Sequence, residues 1–370
     1  MATPRETLTG GGRVSDWFEE RLRARALFAA LLHVRIPISA RTYYLGGITL
    51  FLFGVQVVTG TLLTLYYKPT ADTAYDSVKY ITSVVEFGWL IRSVHHWAAN
   101  LMIICLVLHV ARIFVQGAYK YPRELTWIFG VGLLAVTIGF GFTGYLLPWD
   151  QRAFWATVVG TEIAGGVPLI GPPVLELLRG GQDVTDATLG RFFGMHVLVL
   201  PLTLAAFLVV HLTIVHQLGL ASRKHPEPRP GAASASATDD ARADDGEVEA
   251  AKPFFPHYVL DEVIAWAAML AVLVVLASVL PAGLEEKADP LKTPAHVKPE
   301  WYFLSVYQLL KIVPREVGIM APMVAIVALG LLPFLDRSRE VRPRRRLIFL
   351  LIGGVAAGVT VGLSVWGYYS

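Results

Sequence analysis

The chain has 370 residues, of which 54% are hydrophobic and only 16% charged, with a formal net charge of +3 at pH 7. A soluble domain of this length carries more charge, so the composition indicates a multi-pass membrane protein, and the small net charge gives no reason to expect nucleic acid binding. The single cysteine, Cys105, excludes an internal disulfide, a cysteine-ligated iron–sulfur cluster and a CxxCH haem attachment site.

The first predicted element is an amphipathic helix at residues 16–35, which follows a polar, glycine-rich start. Its apolar face, which includes Trp17 and Phe18, opposes arginines such as Arg21 and Arg25. A helix of this kind lies in a membrane surface with its cations towards anionic head groups. We therefore expect the N-terminus on the cytoplasmic side of the membrane.

Seven apolar segments that are long enough to cross a bilayer follow, which predicts an all-α integral membrane fold. Basic residues are concentrated in the loops 116–124, 222–252 and 336–346. With a cytoplasmic N-terminus all three loops are cytoplasmic, as the positive-inside rule requires, and the C-terminus lies outside. The predicted spans are 43–66, 89–115, 125–147, 193–216, 259–280, 318–335 and 347–367.

The segment 228–249 separates the first four spans from the last three. It is rich in Ala, Ser, Asp and Pro, a composition typical of a flexible linker. The sequence therefore predicts four parts. They are a tail with its surface helix at 1–35, a four-helix bundle at 36–221, a cytoplasmic linker at 222–255 and a three-helix domain at 256–370.

The second and fourth spans each carry two histidines at nearly equal spacing. His95 and His109 are fourteen residues apart, and His196 and His211 are fifteen residues apart. Each pair thus returns to one helix face with about 21 Å between its members. Because both spans run in the same direction, His95 is level with His196 and His109 with His211. Imidazoles from two facing helices predict bis-histidine ligation of two haem irons, whereas a lone intramembrane histidine is usually a packing residue.

Arginines and glycines accompany these histidines. Arg92 and Arg112 lie about one turn outward of His95 and His109, where guanidinium groups would neutralise haem propionates. Four glycines in the first and third spans share the fourteen-residue spacing and would leave gaps for porphyrin faces, although small residues are also used for ordinary helix packing. These are Gly46, Gly60, Gly130 and Gly144.

Several motifs resemble cytochrome b of the Rieske/cytochrome b complexes. They are GGITL at 46–50, FGWLIRSVHHW at 87–97, YPRELTW at 121–127, TGYLLPWDQ at 143–151 and KPEWYFLSVYQLLKIVP at 298–314. The resemblance implies a proton-translocating subunit that oxidises quinol at an outer site. One electron would pass through two b haems (protohaem IX) to an inner quinone-reduction site, and the other to a Rieske iron–sulfur protein.

The same resemblance assigns ligands and partners. It implies that His95 with His196 holds the outer haem and His109 with His211 the inner haem. It further implies a c-type cytochrome subunit, a homodimer and a location in the bacterial inner membrane.

Residue chemistry also suggests the outer quinol site. Glu300 lies in the loop between the fifth and sixth spans, and a carboxylate at the edge of an apolar pocket can accept a quinol proton and pass it to water. Tyr302 would be a neighbouring hydrogen-bonding group. The opposite wall would come from Gly144, Tyr145 and residues 155–170.

Residues at the inner side combine features of two branches of the family. In the respiratory branch a histidine and an aspartate at the places of His216 and Asp261 donate protons to reduced quinone. In the chloroplast-type branch a cysteine before the GGITL-like motif attaches a third haem, and Tyr44 stands at that position here. The resemblance thus indicates a fused bacterial form with two haems, and leaves a non-covalent third haem open.

Two other functional classes fit part of the pattern. A di-haem membrane anchor of a dehydrogenase would explain the histidines, but neither the PEWY motif at 299–302 nor the three additional spans. A transporter that relays protons through its histidines would contain no haem.

Overall fold

The computed structural model describes residues 35–37, 44–219, 251–294, 297–338 and 340–370. The predicted surface helix, apart from its last residue, and the predicted linker at 228–249 lie outside these residues. Both therefore stay predictions.

Helices form almost all of the regular structure in the described part of the chain. In chain order the elements are β1 (Arg35–Pro37), α1 (Tyr44–Thr64), α2 (Ala74–Ser83), α3 (Gly88–Gln116), α4 (Glu124–Leu146), α5 (Gln151–Gly165), α6 (Gly171–Arg179), α7 (Asp186–Gly194), α8 (Leu200–Leu218), β2 (Ala251–Pro253), α9 (Val259–Val279), α10 (Leu304–Ile312), α11 (Arg315–Leu335) and α12 (Leu347–Tyr369). Strands β1 and β2 form one antiparallel pair, which the all-α prediction did not include.

Seven helical segments of the described residues are long and apolar enough to cross a membrane, as predicted. They are α1, α3, α4, α7 with α8, α9 with its preceding turn Phe254–Tyr258, α11 and α12. The fourth segment is composite, because a π-helical turn at Met195–Val199 joins α7 to α8. The predicted bounds of the other six segments differ from the observed ones by a few residues at most, since hydropathy marks the spans clearly.

The chain forms two compact units. Of the described residues, the first unit contains 35–37, 44 and 251–268, and the second contains 45–219 and 269–370 with the gaps given above. The division of the chain at a linker stays a prediction, because residues 220–250 are not described.

The core of the second unit lies midway along the bundle. Its buried side chains come from α1, α3, α4, α8 and the second half of α9. Along the bundle they lie between the level of His95 and His196 and the level of His109 and His211, or pack against residues that do. They are Leu52, Ala98, Met102, Cys105, Leu133, Leu204 and Leu273. This apolar layer separates the two ends of the bundle, each of which carries polar side chains.

We call one end of the bundle, where α3 begins and α4 ends, the Glu300 end. Backbone hydrogen bonds attach the segment that follows α9 to this end. The Gln151 amide donates to the Glu286 carbonyl at 2.9 Å, and the Ala288 amide donates to the Trp149 carbonyl at 3.0 Å. These bonds hold the segment after α9 against the loop that follows α4.

We call the opposite end, where α3 ends and α4 begins, the Lys120 end. A buried polar cluster fills it: the Tyr119 hydroxyl donates to Asp336 Oδ2 at 2.6 Å, and Lys120 Nζ lies 3.0 Å from the same oxygen. Arg346 Nη2 adds contacts to the Tyr119 hydroxyl at 2.6 Å and to Asp336 at 3.4 Å. Burial alone would raise the pKa of Asp336, but hydrogen bonds from Tyr119, Lys120 and Ser338 hold that pKa below its usual value.

Candidate functional site

Two of the four predicted histidines face each other at the Glu300 end. His95 projects from α3 and His196 from the π-helical turn, and their ring centroids are 6.3 Å apart. Two metal–imidazole bonds of about 2 Å each, together with the radii of the two rings, span roughly this separation. The space between the rings therefore fits a single metal ion.

Threonine hydroxyls fix the proton on these two rings. Thr59 Oγ1 lies 2.8 Å from His95 Nδ1, and Thr143 Oγ1 lies 3.1 Å from His196 Nδ1. Each hydroxyl already donates its own hydrogen to the backbone carbonyl four residues earlier. Each threonine must then accept from the Nδ1–H of its histidine, which leaves the Nε2 lone pair of that ring available to a metal.

The second histidine pair lies at the Lys120 end. His211 Nδ1 is 3.0 Å from the Thr126 carbonyl, which can only accept, so this ring also carries its proton on Nδ1. His109 lies within electrostatic range of His211, and its Nδ1 has no hydrogen-bond partner among the described residues. Across the described residues no group of three or more His, Cys, Asp or Glu side chains is suited to a metal ion.

Each of the four glycines faces one of these rings. A Cβ atom at Gly60 would lie 3.2 Å from His95 Cε1, and one at Gly144 would lie 2.5 Å from His196 Cε1. The corresponding distances to His109 and His211 are 3.3 Å at Gly46 and 3.4 Å at Gly130. The space beside each glycine is thus taken by an imidazole edge. The role of the four glycines in leaving gaps for porphyrin faces stays a prediction.

The π-helical turn accounts for the unequal spacing of the two histidine pairs. Such a turn holds one residue more than an α-helical turn. Fifteen residues that pass through it from His196 to His211 therefore rise about as far as the fourteen residues from His95 to His109. The sequence shows the extra residue but not where the helix absorbs it.

The two predicted propionate partners have protein contacts in the structure. Arg92 donates to the Ala282 carbonyl at 2.7 Å and to the Gly283 carbonyl at 2.5 Å. Arg112 donates to the Gln116 side chain at 2.9 Å. Their role as propionate partners stays a prediction.

The PEWY loop is docked on the Glu300 end. The Trp301 indole N–H donates to Asn100 Oδ1 on α3 at 2.7 Å. The Tyr302 hydroxyl packs on α4, where a Cβ atom at Gly141 would lie 2.9 Å from it. Burial, and then the Glu300 charge, raise the pKa of Tyr302 above its usual value, so its phenol stays protonated and can donate a hydrogen bond.

A carboxylate and a phenol converge beside this loop. Glu300 Oε1 lies 3.5 Å from Arg152 Nη2, and the Arg152 guanidinium sits 5.8 Å from the centre of the Tyr145 ring. The Tyr145 hydroxyl is buried and has no partner among the described residues. A buried hydroxyl without a partner is uncommon and fits a place where a polar ligand atom would bind.

The loop between the third and fourth spans, which was expected to make the wall opposite the PEWY motif, contains helices α5 and α6. The predicted stretch 155–170 corresponds to most of α5 and the turn after it. Sequence reasoning missed Arg152, which opens α5, because a basic residue in a loop carries no signal of its own.

The two residues predicted at the inner side lie in different units. His216 is exposed near the end of α8. Asp261, in the first turn of α9, accepts a hydrogen bond from the Tyr44 hydroxyl at 2.7 Å. Their proton-donating roles stay predictions.

Two protein-family models match the chain: "Cytochrome b/b6/petB" over residues 33–219, and "Cytochrome b(C-terminal)/b6/petD" over residues 287–369. The chain is 38% identical over 348 residues to a "Cytochrome bc complex cytochrome b subunit" of Chlorobaculum thiosulfatiphilum, which covers 92% of this chain and 77% of that protein. The chain belongs to the cytochrome b family. It is thus a haem-binding, multi-pass membrane subunit of a bc-type quinol oxidoreductase, as its motifs predicted.

Two further comparisons describe the organisation of this cytochrome b. A "Cytochrome b6" of Prochlorococcus marinus (strain MIT 9303) is 45% identical over 214 residues, which are 58% of this chain but 98% of that protein. A solved "Hyperthermophilic respiratory Complex III" chain matches with a TM-score of 0.81 and 34% identity, over 95% of this chain and 91% of that chain. Almost all of the b6 protein is thus matched by 58% of this chain, and the cytochrome b/b6/petB family model covers the first four spans.

Proposed function

We propose that this cytochrome b oxidises quinol at the Glu300 end and reduces quinone at the Lys120 end, with one b haem bound by each histidine pair. The observation that carries the proposal is the separation of 6.3 Å between the His95 and His196 rings. The hydrogen bonds of Thr59 and Thr143 support it, because they leave both Nε2 atoms free. Of the two electrons that each quinol releases, one would pass to a Rieske iron–sulfur protein.

The histidine pairs fit protohaem IX better than a small metal site. Each pair would supply two neutral nitrogen ligands and no charged ligand, which suits an iron whose other ligands come from a porphyrin. Bound there, the haem would supply reversible one-electron transfer. The protein residues would bind it, set the ring tautomers and keep water away through the apolar layer between the two ends.

At the Glu300 end the protein would handle protons. Glu300 would accept a proton from the quinol hydroxyl and pass it to water, to which its side chain is 17% exposed. The protonated Tyr302 phenol would donate a hydrogen bond to the quinol ring oxygen, and the unpartnered Tyr145 hydroxyl is a second polar group for the same ligand.

His216, near the end of α8, would donate a proton to reduced quinone at the Lys120 end, and the family resemblance implies a proton-donating role for Asp261 as well. The basic loops 116–124 and 336–346 support a cytoplasmic position for this end. Protons would then be taken up from the cytoplasm and released outside, across a bacterial inner membrane. The same topology gives a cytoplasmic N-terminus and an outside C-terminus.

The complex would contain further chains. A Rieske protein and a c-type cytochrome are expected as electron acceptors, together with a second copy of this chain and bound lipid. The name of the Chlorobaculum relative, a subunit of a cytochrome bc complex, supports an assembly of this kind.

The role of Glu300 can be tested in the purified complex. The Glu300→Gln variant should lower the rate of quinol oxidation by about 100-fold, the lower range for loss of a positioned general base, while its optical haem spectrum stays unchanged. Glu316→Gln, an exposed carboxylate in the first turn of α11, is the matched control and should keep the normal rate. An unchanged rate in Glu300→Gln would exclude Glu300 as the proton acceptor.

A further inference from the structure

We propose that Arg152 is a positioning residue for Glu300. Its guanidinium holds the Glu300 carboxylate at the solvent side of the quinol pocket between proton transfers. The inference rests on the proposed role of Glu300 as the proton acceptor. It adds a residue outside the PEWY loop and names what that residue does.

Arg152 bridges the two walls of the pocket through three contacts. Its Nη2 lies 3.5 Å from Glu300 Oε1, and its Nε donates to the Lys298 carbonyl at 3.3 Å. Its guanidinium also lies 5.8 Å from the centre of the Tyr145 ring on α4. One side chain thus contacts Glu300 of the PEWY motif, the residue just before that motif and the facing helix.

The backbone that carries Arg152 is held firmly. Asp150 caps the start of α5 by accepting from the Ala153 amide at 2.9 Å, and the Gln151 amide donates to the Glu286 carbonyl at 2.9 Å. Trp149 and Asp150 are both buried. The guanidinium therefore extends from a fixed point, and the Glu300 side chain is the more adjustable partner.

The exposures of the two side chains give the pair a direction. The Arg152 side chain is 41% exposed and the Glu300 side chain 17% exposed, so the guanidinium attracts the carboxylate towards the more exposed of the two groups. Arginine stays charged throughout the physiological pH range and attracts the carboxylate, but it has little attraction for the neutral acid. Arg152 therefore contacts Glu300 when Glu300 is a carboxylate and releases it when Glu300 carries a proton.

The proton-transfer sequence balances without any further reactant. In the first step the quinol O–H bond breaks and an O–H bond forms on Glu300, which then loses its attraction to Arg152. In the second step that O–H bond breaks, water takes the proton, and the carboxylate returns to the guanidinium. A partly exposed ion pair at 3.5 Å is weak, so it can open in every turnover.

A double-mutant cycle tests the inference in the purified complex. The quinol-oxidation kcat and KM are measured with a short-chain quinol and oxidised cytochrome c for Arg152→Gln, Arg152→Lys, Glu300→Gln and the double variant Arg152→Gln with Glu300→Gln. We expect Arg152→Gln to lower kcat about tenfold with KM unchanged, because the pair returns Glu300 to its place after each proton release and does not bind quinol. Arg152→Lys should recover part of the rate.

The decisive comparison is the effect of Arg152→Gln in the Glu300→Gln background. If Arg152 acts through Glu300, this second change lowers kcat less than about twofold, because residues that act as a unit are not additive. An equal fall in both backgrounds would overturn the inference while leaving the role of Glu300 standing. If Glu300→Gln alone keeps the normal rate, the proposed function of Glu300 is wrong instead.

Two controls separate positioning from general structure. Arg315→Gln removes a 65% exposed arginine that lies 3.7 Å from Glu162, and it should leave kcat unchanged. Glu285→Gln tests another carboxylate within electrostatic range of Arg152, and a kcat loss that matches Arg152→Gln would contradict the pairing with Glu300. If Arg152→Gln loses its haem spectrum, the cycle is repeated with Arg152→Lys. We then expect a smaller fall in kcat that is not additive with that of Glu300→Gln. An additive fall in kcat would overturn the inference.

Discussion

Polar groups at the two ends of the bundle are held in different ways. At the Lys120 end, His211 donates to a backbone carbonyl, and Asp336 is enclosed by Tyr119, Lys120 and Arg346. At the Glu300 end, both histidines donate to threonine side chains, and Glu300 has a partly exposed partner at 3.5 Å.

The difference relates to what each group must do. A buried charge with several partners is fixed in one arrangement, because leaving any partner unpaired is strongly unfavourable. A carboxylate that takes up and releases a proton needs a contact that opens and closes easily. We therefore interpret the Asp336 cluster as structural and the Glu300–Arg152 pair as functional.

The largest expected effect comes from the glycine that lies closest to a histidine ring. In Gly144→Ala the new Cβ would lie 2.5 Å from His196 Cε1, so the ring must move and the haem at the Glu300 end should be lost. Gly130→Ala is the matched variant at the other end, where the distance of 3.4 Å is close to ordinary contact and both haems should remain. Haem counts per chain measure the difference, and equal losses would contradict the assigned contacts.

The next largest effect is expected at the Lys120 end. Asp336→Asn leaves Lys120 and Arg346 buried without a compensating charge, which should lower the free energy of unfolding by about 3–5 kcal/mol. Heating in detergent with the haem absorbance as the signal measures this loss. Glu340→Gln, whose carboxylate lies 3.4 Å from the exposed Arg345, is the control and should change stability by less than about 1 kcal/mol.

The same cluster predicts how stability depends on pH. The folded-state pKa of Asp336 is below the value of about 3.9 for an unfolded aspartate, so its contribution is present above that value. The contribution is lost as the pH falls through the folded-state pKa. Wild type should therefore lose more stability than Asp336→Asn between pH 5 and strongly acidic pH, and parallel losses in the two proteins would count against a structural role.

The smallest effect is expected for a threonine hydroxyl. Thr59→Val removes the acceptor for His95 Nδ1–H and should weaken haem retention about tenfold, the lower range for partners of metal ligands. Thr61→Val, an exposed position on the same helix, is the control and should retain haem normally. At the Lys120 end no side-chain substitution removes the Thr126 carbonyl, so only the Glu300 end offers this test.

Periodic features of the fold could be predicted from the sequence, but features that depend on distant contacts could not. The spans follow from hydropathy, and the pairing of His95 with His196 follows from spacing and direction. Helices α2, α5, α6 and α10 were missed because they lie between the predicted spans and are too short to cross a bilayer. The placement of Arg152 beside Glu300 joins residues 148 positions apart, a separation that no local pattern can indicate.

The central claim is that each histidine pair binds one haem. Redox-titrated optical spectra of wild type, His196→Leu and His211→Leu test it most directly. We predict two b haems per chain in wild type and one in each variant, with the remaining haem having a different potential in the two variants. Absence of a b-type α-band in wild type, or both haems retained in either variant, would contradict the claim.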